Sequence, residues 1–208
     1  MNFLAHGEVA RRLPEARADL TLGAMLPDLT HMLEFRVDPD RLPAKVRAGW
    51  RCHVDVDQWF HADERFRSDV REMSATLVER GWNRWSAQAA CHVTWELLLD
   101  GHLARASDPS SWYEEALQAE TFRDSLGSTE RTSWDRLVEG QISRPLWRSY
   151  ENLDGVVDRT WRRLGRTRLA FSSNSADELL VVLDERSGAI AGMAEALITS
   201  AVDALISQ

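Results

Sequence analysis

Two stretches of the chain, HVDVDQWFH and HVTWELLLDGH, repeat metal-ligand side chains at the spacing of an α-helix. In each stretch these side chains recur every four residues: His53, Asp57 and His61 in the first, and His92, Glu96 and Asp100 in the second. Residues four positions apart lie on one face of a helix. The spacing therefore predicts two helices that face each other and hold imidazoles and carboxylates between them.

Apolar residues recur at helical intervals along most of the chain, which predicts an all-α fold in a single domain, residues 1–208. We expect Asp19 and Ser86 to cap helices, and Gly81 to end one. A break is expected near Ala62-Asp63, and another break or a kink at Ser187-Gly188. The segment 166–174 is expected to be a loop. The predicted helices span residues 1–13, 20–33, 43–80, 87–105, 110–120, a segment around 134–142, 146–164 and 176–207.

Composition narrows the range of partners. The net charge is −8, from 33 acidic and 25 basic residues. This argues against nucleic acid or an anionic membrane as a partner, because both require a basic surface. The N-terminal segment lacks the pattern of a signal peptide, and no continuous apolar run approaches the roughly 18 residues of a membrane span. We therefore expect a cytoplasmic protein; its oligomeric state is not indicated.

All six histidines fall within the first 102 residues, where Asp28 and His31 add a third ligand pair at helical spacing. Mixed imidazole and carboxylate ligands suit Mn²⁺, Fe²⁺ or Zn²⁺. Such ions lower the pKa of water and so promote hydrolysis, and we expect a phosphoester as the substrate. The predicted metal ligands are Asp28, His53, Asp57, His92 and Glu96, and His31 and His61 are each a ligand or a general acid. His6 is a further ligand or, with Asp100, a residue that orients ligands. Arg47 and Arg51 are predicted to contact phosphate.

Other interpretations of the same residues stay open. A single histidine–carboxylate pair at this spacing is usually a surface ion pair, although burying several such charges without a metal is costly. A structural metal or a salt-bridged polar core is one alternative. A metallohydrolase of nucleotide or phospholipid esters is another. No nucleophile elbow, phosphate-binding glycine loop or dinucleotide fingerprint competes with these readings.

Four segments, MNFLAH, GAMLPDL, LPAKVRAGWRCHVDVD and VTWELLLDGHLA, resemble segments of the acyl-carrier-protein phosphodiesterase family. This family is a divergent relative of the HD-type metal-dependent phosphohydrolases, and the resemblance covers residues 1–105. It implies an HD-like helical bundle, a divalent metal (often manganese) and hydrolysis of the phosphodiester between phosphopantetheine and a serine of acyl carrier protein. Glu96 occupies the acidic position of the last segment but is followed by Leu97, so the His-Asp doublet of the wider group is missing. The matching ligand positions are Asp28, His53, Asp57 and Glu96.

Overall fold

The fold is all-α, as the sequence predicts. A computed structural model describes residues 1–165, 167, 169 and 175–207, and no strand occurs among them. Short 3-10 segments cover Thr30–Met32, Pro39–Arg41 and Leu146–Glu151. The α-helices are α1 (Phe3–Arg11), α2 (Ala18–Leu29), α3 (Ala44–Ala62), α4 (Glu64–Glu79), α5 (Arg84–Ala106), α6 (Ser110–Leu117), α7 (Glu120–Ser125), α8 (Ser128–Ser143), α9 (Leu153–Leu164) and α10 (Ser175–Ile206).

Helices α2 and α3 cross at two glycines. A Cβ atom on Gly23 would lie 2.0 Å from the carbonyl oxygen of Val46, and one on Gly49 would lie 2.1 Å from that of Leu20. Only residues without a side chain allow the two backbones to approach this closely. The crossing brings His53 of α3 beside the last turns of α2. The close approach of these two helices thus brings together residues of the candidate site.

Helix α5 lies at the centre of the fold and is buried along most of its length. It packs against α1, α4, α9 and α10. The 3-10 segment Leu146–Glu151 also lies directly on it, because a Cβ atom on Gly101 would be 1.9 Å from the carbonyl oxygen of Tyr150. Buried Trp95 donates from Nε1 to Oδ2 of Asp69 on α4, at 2.9 Å. Glu96, the next residue, is thus carried by a helix that is packed on several sides.

Two predicted helix boundaries are confirmed. The long pattern 43–80 breaks at Asp63, whose side chain caps α4 by accepting from the backbone N–H of Arg65. Gly81 follows α4 with a φ of +97°, the left-handed conformation that glycine adopts without strain. Both signals are local, since a capping carboxylate and a left-handed glycine act within one turn.

Both predicted N-terminal caps are wrong. Helix α5 begins earlier than expected, because the side chain of Asn83 accepts from the backbone N–H groups of Trp85 and Ser86. Helix α2 begins after Arg17 without a side-chain cap, and Asp19 lies inside its first turn. In both cases the helix begins before the predicted cap residue, which therefore lies inside its first turn.

The predicted helix 146–164 is two elements. The 3-10 segment Leu146–Glu151 and helix α9 are separated at Asn152, whose side chain caps α9 by accepting from the N–H of Gly155. A Cβ atom on Gly155 would lie 1.9 Å from the carbonyl oxygen of Ser149, so the two elements meet closely at this turn. The predicted loop 166–174 lies outside the described residues except for Thr167 and Leu169.

Helix α10 is continuous from Ser175 to Ile206, so of the kink or break predicted at Ser187-Gly188 the break is wrong. Among the described residues it is the one helix long and apolar enough to cross a membrane by length and composition, with a mean hydropathy of 1.6 over 18 residues. The sequence did not indicate this, because Glu195 and Asp203 interrupt the apolar run of the helix. One third of that window is buried against the fold, and the core helix of a soluble protein meets the same criterion.

Candidate metal centre

Four helices bring histidines and carboxylates into two adjacent groups. In each group the potential ligand atoms lie within 4.8 Å of one another. Helices α1, α2 and α3 contribute to the first group, whereas α3 and α5 contribute to the second. The first group consists of His6, Asp28 and His53, and the second consists of His61, His92 and Glu96.

Backbone carbonyls orient both imidazoles of the first group. His53 donates from Nδ1 to the carbonyl oxygen of Ala24 at 2.9 Å, which leaves its Nε2 with a lone pair. His6 donates from Nε2 to the carbonyl oxygen of Met1 at 3.2 Å. The two rings stack with centroids 3.8 Å apart. A histidine whose second nitrogen donates to a carbonyl is the usual arrangement of a metal ligand.

The first group contains two buried polar atoms with no hydrogen-bond partner among the described residues, Nδ1 of His6 and Oδ2 of Asp28. Oδ2 of Asp28 lies 4.0 Å from Nδ1 of His53. Burial raises the pKa of Asp28 to about 8 and lowers the pKa of both His6 and His53. A buried carboxylate and neutral imidazole nitrogens without partners are what a bound cation would satisfy.

Asp57 lies between the two groups. Its Oδ1 is 3.8 Å from Nε2 of His6, and its Oδ2 is 3.2 Å from Nδ1 of His61. The α-amino nitrogen of Met1 lies 3.4 Å from Oδ1 of Asp57 and 3.4 Å from Oε1 of Glu96. Asp57 can therefore complete the ligand set of the first group or join the two groups.

The second group is held together by ion pairs. Nε2 of His61 lies 3.4 Å from Oε1 of Glu96, and Nε2 of His92 lies 3.1 Å from the same oxygen. Hydrogen bonds to Asp57 and Glu96 raise the pKa of His61 to about 9. Burial alone would raise the pKa of Glu96, but the Met1 amino group and both histidines hold it well below its usual range. At neutral pH His61 is thus a cation.

The two groups therefore differ in chemistry. The first offers two imidazole nitrogens and a carboxylate, with Asp57 nearby, and this donor set fits Mn²⁺, Fe²⁺ or Zn²⁺. The second already pairs its charges internally and carries a proton on His61. Its histidines are each about one third exposed, so the second group faces solvent whereas His6 of the first is fully buried.

Asp100 belongs to neither group and instead holds the first turn of α1. Its Oδ2 accepts from the side chain of Asn2 at 2.9 Å and from the N–H of Leu4 at 3.1 Å, and its Oδ1 accepts from the N–H of Ala5 at 2.9 Å. Burial raises its pKa to about 7 despite these amides. Because His6 follows on the same helix, Asp100 orients this histidine through the backbone.

The other predicted site residues lie outside both groups. His31 is exposed on the 3-10 turn after α2 and lines the cleft that helix α9 borders. Arg47 donates to the carbonyl oxygen of Asp40 at 3.2 Å. Arg51 is exposed and lines a different surface depression, together with Ile206. Both arginines belong to α3, but neither lies on the face of that helix that carries His53 and Asp57.

The sequence reading missed the arginines that do lie near the centre, Arg159, Arg162 and Arg163 of α9. They line the same cleft as His31. The spacing of the arginines in DRTWRR could have indicated a positive cluster, because it places all three on one face of a helix. Helix α9 packs against α5, and this packing brings the arginine face near the metal groups. The sequence alone does not predict that contact.

Comparison of the chain with protein-family models, curated proteins and solved structures gave no match. The resemblance to the acyl-carrier-protein phosphodiesterase family and the HD-like arrangement therefore stay predictions.

Proposed function

We propose that this chain is a metal-dependent hydrolase of a phosphoester, with Mn²⁺, Fe²⁺ or Zn²⁺ in the first group. The observation that carries the proposal is the pair of buried, unpartnered donor atoms, Nδ1 of His6 and Oδ2 of Asp28. Such atoms cost free energy unless something binds them. His53 offers a third donor at Nε2, because its Nδ1 is used by Ala24.

When bound, a divalent cation supplies Lewis-acid polarisation of a phosphoryl oxygen and offsets the negative charge of the transition state. His6, Asp28 and His53 would hold it, and Asp57 would complete the set. His61 is protonated at neutral pH and partly exposed, so it can donate a proton to the oxygen of the leaving group. Asp57 and Glu96 raise the pKa of His61 and so keep it protonated and in place.

The direct test combines metal analysis with a generic activity assay. Protein purified without chelator should contain a divalent metal and should hydrolyse bis-p-nitrophenyl phosphate in a metal-dependent way. His53→Ala should lose both properties. His102→Ala is the matched control, because His102 lies outside both groups and bonds the carbonyl of Ser187. Absence of bound metal, with no rise in melting temperature on adding Mn²⁺ or Zn²⁺, would contradict the proposal.

The substrate within this class is proposed from the resemblance alone. Holo acyl carrier protein is the first candidate, in the cytoplasm, where release of phosphopantetheine would be the readout. Nucleotide and phospholipid esters are the alternatives. Parallel assays of these three substrate classes with the same metal-loaded protein would distinguish them, and preference for either alternative would reject the carrier-protein assignment.

A non-catalytic helical protein with a polar core is the second candidate function. The ion pairs of the second group favour it, since His61, His92 and Glu96 satisfy one another without a ligand. On this alternative, Glu96→Ala lowers stability but removes no metal-dependent activity. Loss of activity in a Glu96→Ala protein that remains folded would rule out this reading.

A further inference from the structure

A cleft of about 680 Å³ lies beside the metal centre and has one cationic and one apolar side. Clefts of a few hundred cubic ångströms are the size that binds small organic ligands. Three arginines of α9 contribute the cationic side, and His31 also lines the cleft. Phe3, Leu97 and Leu146 contribute to the apolar side.

The three arginines form a local positive cluster, although the chain as a whole is negatively charged. Arg159, Arg162 and Arg163 are three and four residues apart, so their side chains share one face of α9, in a protein with net charge −8. The C-terminal end of a helix favours cations, which accounts for Arg162 and Arg163 in the last turn. It does not account for Arg159, which lies a turn earlier and is half-buried.

These arginines are only partly neutralised within the protein. Arg162 forms an ion pair with Asp158 at 2.9 Å, on the exposed surface. Arg159 hydrogen-bonds the phenolic oxygen of Tyr150, which is a neutral group at physiological pH. Arg163 is exposed at the end of α9. The cleft therefore keeps a net positive charge, and a guanidinium group binds phosphate oxygens in a bidentate fashion.

The cleft is lined by residues that adjoin those of the metal centre. Asn2, which lines it, also donates to Asp100. Leu97 follows Glu96 of the second group directly, and His31 lies three residues after Asp28 of the first group, on the adjoining 3-10 turn. An anionic group bound in the cleft would thus lie beside the elements that carry the metal centre.

We propose that this cleft binds the phosphate group of an elongated organic phosphoester, with the arginines of α9 on the phosphate and the apolar side along the organic chain. The reaction of that ester rests on the proposed function, but its binding does not require metal. The assignment predicts a preference for a phosphate that carries an alkyl chain over inorganic phosphate, because only the former contacts both sides of the cleft.

The test uses hexyl phosphate and inorganic phosphate as probes, with the full chain in the presence of EDTA and calorimetry as the readout. Hexyl phosphate should bind more tightly than inorganic phosphate. Arg159→Gln and Arg163→Gln should each weaken its binding about tenfold or more. Arg67→Gln is the matched control, since it removes one exposed arginine from α4, far along the chain from the cleft residues. Melting temperatures should show that all variants are folded.

Absence of hexyl phosphate binding, equal binding of the two probes, or unchanged affinity in both α9 variants would overturn the inference. The proposed function is judged separately by metal content and hydrolysis. Arginine-dependent binding without any metal uptake would support the cleft and reject the hydrolase. Metal-dependent hydrolysis with the same KM in Arg163→Gln, Arg159→Gln and wild type would support the hydrolase and reject the cleft.

Discussion

Replacement of Asp28 by asparagine tests whether the first group is built to hold a cation. Burial raises the pKa of Asp28 from its ordinary value of 3.8 to about 8. For an acid whose pKa is raised by folding, stability is complete below the unfolded pKa and is lost as the pH rises through the folded pKa. Without metal, the wild type therefore becomes less stable than Asp28→Asn as the pH increases.

The magnitude follows from the shift in pKa. Each pH unit between the two pKa values changes the free energy of unfolding by roughly 1.4 kcal/mol. From pH 5 to pH 8 the wild type should lose about 4 kcal/mol relative to Asp28→Asn. This figure is an upper value, because a fold that admits water near the carboxylate lowers the cost. Urea unfolding at both pH values, in EDTA, measures it for the two proteins in parallel.

Metal should offset most of this difference in stability at pH 8. Mn²⁺ at a hundred times its Kd would stabilise the wild type by about 2.7 kcal/mol. Asp28→Asn should gain much less, because the amide offers no charge to the ion. Asp55→Asn is the control, since Asp55 is exposed on α3 and lies in neither group. A stability difference that is the same at pH 5 and pH 8 would refute the burial argument, and a pH-dependent difference that Mn²⁺ leaves unchanged would refute the metal assignment.

Three further predictions concern other parts of the centre. Gly23→Ala should destabilise the fold by about 2 kcal/mol or more in urea unfolding and weaken metal binding, because the new Cβ would meet the carbonyl of Val46; equal stability would contradict the close crossing. His61→Gln should lower kcat on bis-p-nitrophenyl phosphate about a hundredfold or more. In the wild type, activity should fall above about pH 9 as His61 loses its proton, and a pH profile that is flat there would exclude it as the acid. Asp100→Asn should lower the free energy of unfolding by about 1 kcal/mol through loss of the α1 cap, measured by urea unfolding, and an unchanged value would show that the amides of α1 do not depend on this carboxylate.

The helical class and most helix positions could be predicted from the sequence, because apolar periodicity, Gly81 and the break at Asp63 are local signals. Features that depend on how the helices pack together could not be predicted. Gly23 and Gly49 look like ordinary helix-weakening residues in the sequence, and only the crossing of α2 and α3 explains them. The uninterrupted course of α10 through Ser187-Gly188 is likewise a result of packing on the core rather than of helix propensity.

Most residues of the candidate site could be predicted from the sequence, but their division into two groups could not. Helical spacing correctly put His53, Asp57 and His61 on one face of α3, yet the structure divides that face between two groups, with Asp57 between them. The division depends on where α1 and α2 meet α3. His6 was expected to be either a ligand or a residue that orients one, because a lone histidine between apolar neighbours carries no spacing signal. Its position against His53 requires the tertiary contact.

The burial of Asp100 connects α1 to the chemistry of the centre. A carboxylate that is fully buried in α5 is costly, and it is retained here with three hydrogen bonds to the first turn of α1. Those bonds fix the start of the helix that carries His6, and His6 in turn stacks on His53. Nδ1 of His6, which has no hydrogen-bond partner among the described residues, therefore keeps its place in the first group only while Asp100 holds the first turn of α1. On this argument, loss of metal in Asp100→Asn should exceed what its loss of stability explains, and metal affinity measured well below the unfolding temperature would separate the two effects.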